Sequence, residues 1–414
     1  KGKNGENVEP LIVEMNGYRE RIISELSCGA PVFFLDITYN TKHDIFVEVA
    51  ELAVRYPNVK FVLTRHMWGN FQSTLDLMWR CPNILLDISW LHMRDNIEMT
   101  VNQFGAERLV FGIGGKSHYG AACASLGHAQ LSIEQKELIA HGNLERILDI
   151  PALKKTLWQK VDLLDRKPIW RAFAAGRGIA DMVPSQIVDI HTHTGVFNSG
   201  WCIPHYSLPL SEQFGAQAKH ADRHGVGLLI DATARALLAD SVKWNLEAEK
   251  CAMQYPGHFS GWFGFNPNYA NGITNEFLDE CFSRGYFAGI KLLPSYQGIP
   301  VTDDVYRPIW EYADLHHLPV MSHTWGDRYD APCLFRPILE KYRKLNFIVG
   351  HSGGSELKDR LDAEALMRDF PNVYLDSCAT FCCERSWTEA IREFGNSRFL
   401  FGSDCGGHNQ AFEL

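Results

Sequence analysis

No uninterrupted apolar run in this chain approaches the roughly 18 residues that a membrane-spanning helix needs. A basic block is missing too: Lys and Arg total 40 against 49 Asp and Glu, a formal net charge of -9. That balance argues against general binding to nucleic acid or to an anionic membrane surface, and neither partner is expected. The 11 cysteines show no CxxC spacing, and Cys382-Cys383 is their only adjacent pair. An odd number of scattered thiols in a chain this long points to reduced cysteines and a cytoplasmic setting rather than a disulfide framework. The opening, Lys1 to Pro10, is polar and lacks the apolar core of a signal peptide. It reads as a tag, a linker or an internal fragment end.

What is present fits an acidic globular chain with a large core. Of 414 residues, 46% are hydrophobic and 21% charged, enough for two ordinary domains or one large barrel with an appendage. Residues 1–150 alternate apolar runs (Pro31–Leu35, Lys60–Leu63, Asn83–Leu86, Arg108–Phe111) with amphipathic stretches such as His43–Tyr56 and Asn70–Arg80. Ser132–Leu148 reads as one helix, capped by Ser132 with Gln135 three residues on. The charged segment 151–184 reads as a helical connector. From Ser185 a regular β–loop–α alternation sets in, with runs at Gln186–Ile190, Gly225–Ile230, His258–Gly264, Phe287–Leu293, Leu318–Ser322, Asn346–Gly350, Asn372–Leu375 and Arg398–Gly402. Eight such units predict an α/β fold, a (β/α)8 TIM barrel over 185–414, with chemistry at the C-terminal strand ends.

The first of these runs ends in Asp189-Ile-His191-Thr-His193. Side chains alternate along a strand, so the two imidazoles share a face and could grip one ion. Taken alone, the pair is equally readable as polar residues at a strand end. Other runs end in residues of the same chemistry: His323 after the fifth, His351 after the sixth, Asp404 after the eighth.

In this order and spacing, Asp189-Ile-His-Thr-His193, Gly289-Ile-Lys-Leu-Leu-Pro294, His323, Gly350-His351-Ser-Gly353 and Phe401-Gly-Ser-Asp404 resemble the amidohydrolase superfamily. The closer likeness is to its branch of metal-dependent hydrolases and decarboxylases. The resemblance implies one divalent metal ion, zinc or else manganese, held by His191, His193, His323 and Asp404. It places the catalytic histidine at His351. Each role has a physical reason: neutral imidazoles and a carboxylate suit zinc, whose bound water is acidic enough to give hydroxide near neutral pH. Asp404 can take that water's proton, and His351 can polarise a carbonyl or pass a proton to the leaving group. Lys291 reads as a buried lysine that positions other groups; the alternative is a carbamylated bridge between two ions, as in two-metal members. Substrate-binding candidates are Lys291, Trp201, His205, Trp325 and Arg328, the last as a bidentate partner for a carboxylate or else a solvated surface arginine. Tyr206, Asp327, Asp231 and Asn266 also lie at strand ends.

The N-terminal third looks like a partial, degenerate repeat of the barrel. Gln103–Gly112 lines up without gaps on Glu393–Gly402, Cys81–Asp87 on Phe370–Asp376, and Pro31-Val32 on Pro319-Val320. In that alignment Leu35 falls where His323 stands, Arg65 where His351 stands and Gly114 where Asp404 stands, so no metal ligands are expected there. A one-residue slip would recruit Asp36 and His66. Strands one to four are expected to be missing from the repeat, and the barrel's last helix is expected to be missing after Leu414. The leading expectation is a metal-dependent hydrolase acting on an amide, lactone or related bond of a small carboxylated molecule, as a homo-oligomer. A non-oxidative decarboxylase or hydratase of the same family is the runner-up, and an idle scaffold or binding protein the alternative from another class.

Overall fold

The structure, a computed structural model, describes residues 12–14, 24, 29, 31–37, 45–66, 70–114, 119–152, 187–195, 208–378, 387–407 and 409–410. These fall in two compact units, the first with its described residues up to 152 and the second from 187 onward. The expected connector 151–184 lies outside the described residues from 153. No helix among the described residues is long and apolar enough to cross a membrane.

The first unit is a five-stranded parallel sheet: β1 (Ile12–Glu14), β2 (Val32–Asp36), β3 (Lys60–Thr64), β4 (Ile84–Asp87) and β5 (Leu109–Val110), hydrogen-bonded in chain order. Strand β1 corrects the expectation that nothing precedes Pro31–Leu35 in this sheet; three residues are too few to show a period. Along β2 the side chains alternate, so Phe33 and Leu35 enter the core beneath the helix Ile45–Arg55. Phe34 faces the other way, with Val62, Leu85 and Val110. Ser132 and Gln135 form the expected capping box, with backbone–side-chain bonds of 3.2 and 3.0 Å. The helix expected over Ser132–Leu148 runs from Ile133 to Leu148 without a break, with a π segment at Leu138–Gly142 between Ile133–Glu137 and Asn143–Leu148. The reason is a competing acceptor role: the Ile139 carbonyl takes a 3.0 Å bond from Phe111 N, beside β5.

The second unit is the expected barrel. Its eight parallel strands are β6 (Ile187–Thr192), β7 (Val226–Asp231), β8 (Phe259–Phe265), β9 (Phe287–Leu292), β10 (Pro319–Ser322), β11 (Asn346–Val349), β12 (Val373–Asp376) and β13 (Phe399–Leu400), again in chain order. Their ends differ from the sequence runs by no more than one or two residues. Alternation sorts the core into two layers. Ile290, Val320, Phe347 and Val349 pack outward against helices, while Trp262, Leu293, Met321 and Ile348 fill the barrel interior. The ring is completed by Ile190 N to Phe401 O (3.0 Å), Asp404 N to His191 O (2.7 Å) and His193 N to Cys405 O (2.7 Å).

Strand pairing inside the two units repeats. Phe61 pairs with Ile84 as Phe347 pairs with Val373, and Leu86 with Leu109 as Leu375 with Phe399. Phe33 pairs with Phe61, whereas the corresponding partner of Phe347 is Val320. This register corrects the alignment of Pro31 on Pro319 by one residue. Counted from these pairs, Asp36 and not Leu35 lies as far beyond its paired residue as His323 does, while Leu35 is wholly buried under helices. Arg65, like His351, lies four residues beyond the paired phenylalanine, and both lie in the left-handed region at φ 53° and 54°. Asp36 and Arg65 form an ion pair at 3.0 Å. Gly114, like Asp404, has a positive φ, 62° against 56°.

Candidate metal centre

The barrel seam builds the centre. The pairing of β6 with β7 slips between Asp189 and Thr192, an irregularity within the stretch that carries His191. His191 and His193 then lie with ring centroids 5.2 Å apart, and one donor atom each of His191, His193 and Asp404 lies within 4.8 Å of the others. The chain that carries Asp404 is drawn tight against β6. A side chain on Gly406 (φ 115°) would place its Cβ 1.7 Å from the His193 carbonyl oxygen, and one on Gly402 would sit 2.7 Å from His191 Cβ. Only glycine permits that approach.

Hydrogen bonds fix which nitrogen of each imidazole faces inward. His193 Nδ1 donates to the Ala232 carbonyl (2.7 Å), His191 Nδ1 to the Asp376 carboxylate (2.6 Å) and His323 Nδ1 to Asp330 (2.8 Å). A carbonyl or carboxylate can only accept, so each Nδ1 carries the proton and each Nε2 offers its lone pair. Burial pushes the His193 imidazole down to about 3, which keeps it neutral, as a ligand must be. Asp330 feels opposing effects. Burial pushes its carboxyl up, but His323, the hydroxyl of Ser295 and the Trp325 N–H outweigh it and hold it below the usual range. His323 stands on the same rim but further out, its ring centroid 4.8 Å from that of His351. The donor set, its protonation and its neighbours therefore fit one divalent ion.

His351 lies among the ligands, 4.8 Å from the His191 ring and 5.1 Å from that of Trp325. Burial first, then the charges of His191 and His323, push its pKa well below the ordinary value. Its Nδ1 lies 3.1 Å from Cys378 Sγ. Lys291 is wholly buried, and its Nζ donates to His191 Nε2 at 2.9 Å, with Met321 Sδ at 3.1 Å. Burial lowers the Lys291 pKa and raises that of Asp376. An ion on His191 Nε2 and this lysine hydrogen bond exclude each other.

Of the substrate-binding candidates, Trp325 is 39% exposed at the rim and Arg328 is exposed, lying over the Tyr329 ring at 4.7 Å. Trp201, His205 and Tyr206 lie outside the described residues, as do the connector and the last four residues. Three members of the centre escaped sequence reasoning: Asp376, Asp330 and Cys378. Asp376 left a signal, since Asp87 ends the matching stretch of the first unit. Asp330 and Cys378 left none, because only the loops' return brings them to the histidines.

Asp231, at the end of β7, accepts from Thr194 Oγ1 at 2.7 Å, and burial pushes its carboxyl up to about 8. The unfolded chain releases that proton near pH ~4, so the folded state holds it across the interval between. Stability contributed by this group is therefore lost as pH rises from ~4 toward 8. Asp231→Asn should flatten the fall in melting temperature from about pH 5 to about pH 8, with about 1.4 kcal/mol at stake per unit of raised pKa. Parallel curves for the two proteins would show Asp231 to be ionised when folded.

The sequence matches the family model described as amidohydrolase over residues 22–150 and again over 188–410. No curated protein matches it. Among solved structures, it is similar to a 2,6-dihydroxybenzoate decarboxylase (17% identity, 55% of this chain and 91% of that one, TM-score 0.40). Others are the 5-carboxyvanillate decarboxylase of Sphingomonas paucimobilis (11%, 55% and 91%, 0.42) and an amidohydrolase of Burkholderia multivorans with bound zinc (12%, 53% and 84%, 0.40).

Proposed function

The chain belongs to the amidohydrolase family of enzymes, and from that premise we propose that it hydrolyses an amide, lactone or related bond of a small carboxylated molecule. The observation that carries this reading is the buried trio of His191, His193 and Asp404, with donor atoms within 4.8 Å and both imidazoles oriented through Nδ1. These three and His323 would hold one divalent ion, zinc or manganese. When bound, the ion supplies an acidic water and a Lewis acid for a carbonyl. The chain's own side chains do the rest. Asp404 accepts the proton released from water and can pass it to the leaving group, and His351, neutral in its buried site, donates an N–H hydrogen bond to the carbonyl oxygen. Arg328, on the loop after β10, takes the substrate carboxylate, and Trp325 covers the ring or chain beneath it.

We further propose that the first unit holds no ion. Its counterpart of His323 is Asp36, bonded to Arg65 where a catalytic histidine would stand, and Gly114 offers no ligand.

The test is product analysis with the full-length chain loaded with zinc or manganese and offered carboxylated lactones, amides and aromatic acids. Ring-opened acid or free amine, with one water consumed, supports hydrolysis. Release of carbon dioxide would reassign the enzyme as a non-oxidative decarboxylase, and no turnover of any compound would favour an idle scaffold.

A further inference from the structure

We propose that the barrel carries a second cation position, overlapping the first, made by His191, His351 and Cys378 and suited to a thiophilic ion. One donor atom of each residue lies within 4.8 Å of the other two, and all three residues are buried. The geometry is already near that of a ligand set, with Cys378 Sγ 3.1 Å from His351 Nδ1. The backbone holds it so. His351 and Ser352 lie in left-handed conformations at φ 54° and 49°, and the Ser352 hydroxyl donates to the Asp376 carbonyl, two residues before Cys378.

The two positions differ in softness and compete for one atom. Two imidazoles and a carboxylate form the first, a set open to zinc and manganese alike. Two imidazoles and a thiolate form the second, which favours cadmium, cuprous copper or a further zinc and disfavours manganese. Asp376 holds His191 Nδ1, so Nε2 is the coordinating nitrogen for either position. One lone pair binds one ion, and the positions exclude each other. Occupation of the second releases the Cys378 proton to solvent without any redox change. It also draws His191 out of the first set and engages His351. If the hydrolase reading holds, a thiophilic ion therefore switches the enzyme off by taking His191 from its working metal's set. The cation position itself does not depend on that reading.

Cadmium titration of the full-length protein tests the proposal, read by thiolate-to-cadmium charge-transfer absorbance in the near ultraviolet. Because the chain has 11 cysteines, including the exposed Cys333, the decisive quantity is the difference from Cys378→Ser. Wild type should show one tight thiolate site that Cys378→Ser lacks and His193→Ala retains. His351→Asn, which keeps the thiol, should weaken that site at least tenfold and guards against a misfolded serine variant. Identical absorbance in wild type and Cys378→Ser, or unchanged cadmium affinity in His351→Asn, overturns the proposal. Failure of the hydrolase reading looks different: no turnover, with the Cys378 signal intact.

Discussion

A His191→Ala/His193→Ala variant should retain less than a tenth of the zinc bound by the wild type and lose turnover by about 10⁴-fold or more, ~5.5 kcal/mol of transition-state stabilisation. The size of the effect follows from what the pair supplies. Both side chains are nearly inaccessible to solvent, at 1% and 4%, and both present Nε2 to the same small volume. With them gone, only His323 and Asp404 of the proposed set would remain, and two ligands are too few to define a zinc geometry. Elemental analysis of the purified chain beside the variant gives the answer directly. One ion per chain, lost in the variant, fits the centre as drawn. Two per chain would revive Lys291 as a carbamylated bridge or the first unit as a working site, and an ion retained by the variant would remove the trio from consideration. The double variant also strips partners from Asp376 and Lys291, so its melting temperature should fall as well. His193→Ala alone separates the two effects, since it leaves the bonds of His191 to Asp376 and Lys291 in place.

His351→Asn should leave the metal content unchanged and lower kcat by roughly 10²- to 10³-fold, the span usual for a lost donor to a developing oxyanion. Asparagine is chosen for the backbone. His351 sits at φ 54°, where most side chains are strained and asparagine is tolerated. Loss of rate then reports the imidazole and not a distorted loop. A kcat within a few-fold of wild type, with metal still bound, would exclude His351 from the chemistry.

Much of this was legible in the sequence because strands buried on both faces stand out as apolar runs, and family chemistry sits at their ends. His191, His193, His323, His351 and Asp404 all follow such runs, and the barrel collects them on one rim. What was hidden depends on register and on the third dimension. Pro31 and Pro319 align by identity, yet the partner strands pair one residue out of step and put Asp36 where Leu35 was expected. The three residues of β1 carry no pattern of their own. The π turn at Leu138–Gly142 answers a hydrogen bond from Phe111, 28 positions away, that no local propensity encodes. Asp330 and Cys378 acquire meaning only through distances of 2.8 and 3.1 Å to His323 and His351.

The seam that closes the barrel joins its first strand to its last, and the ligands lie on either side of it: the Asp404 amide bonds to the His191 carbonyl, and the His193 amide to that of Cys405. A ribosome emitting this chain produces His191 and His193 more than two hundred residues before the carboxylate that completes their set. Until then the two imidazoles lack the carboxylate that lies within reach of both across the seam. Loop closure over so long a span comes late in folding, after local contacts have formed. An ion held by the proposed set would then act as a clasp across the join, and the chain could complete its carboxylate-bearing set only once the ring shuts.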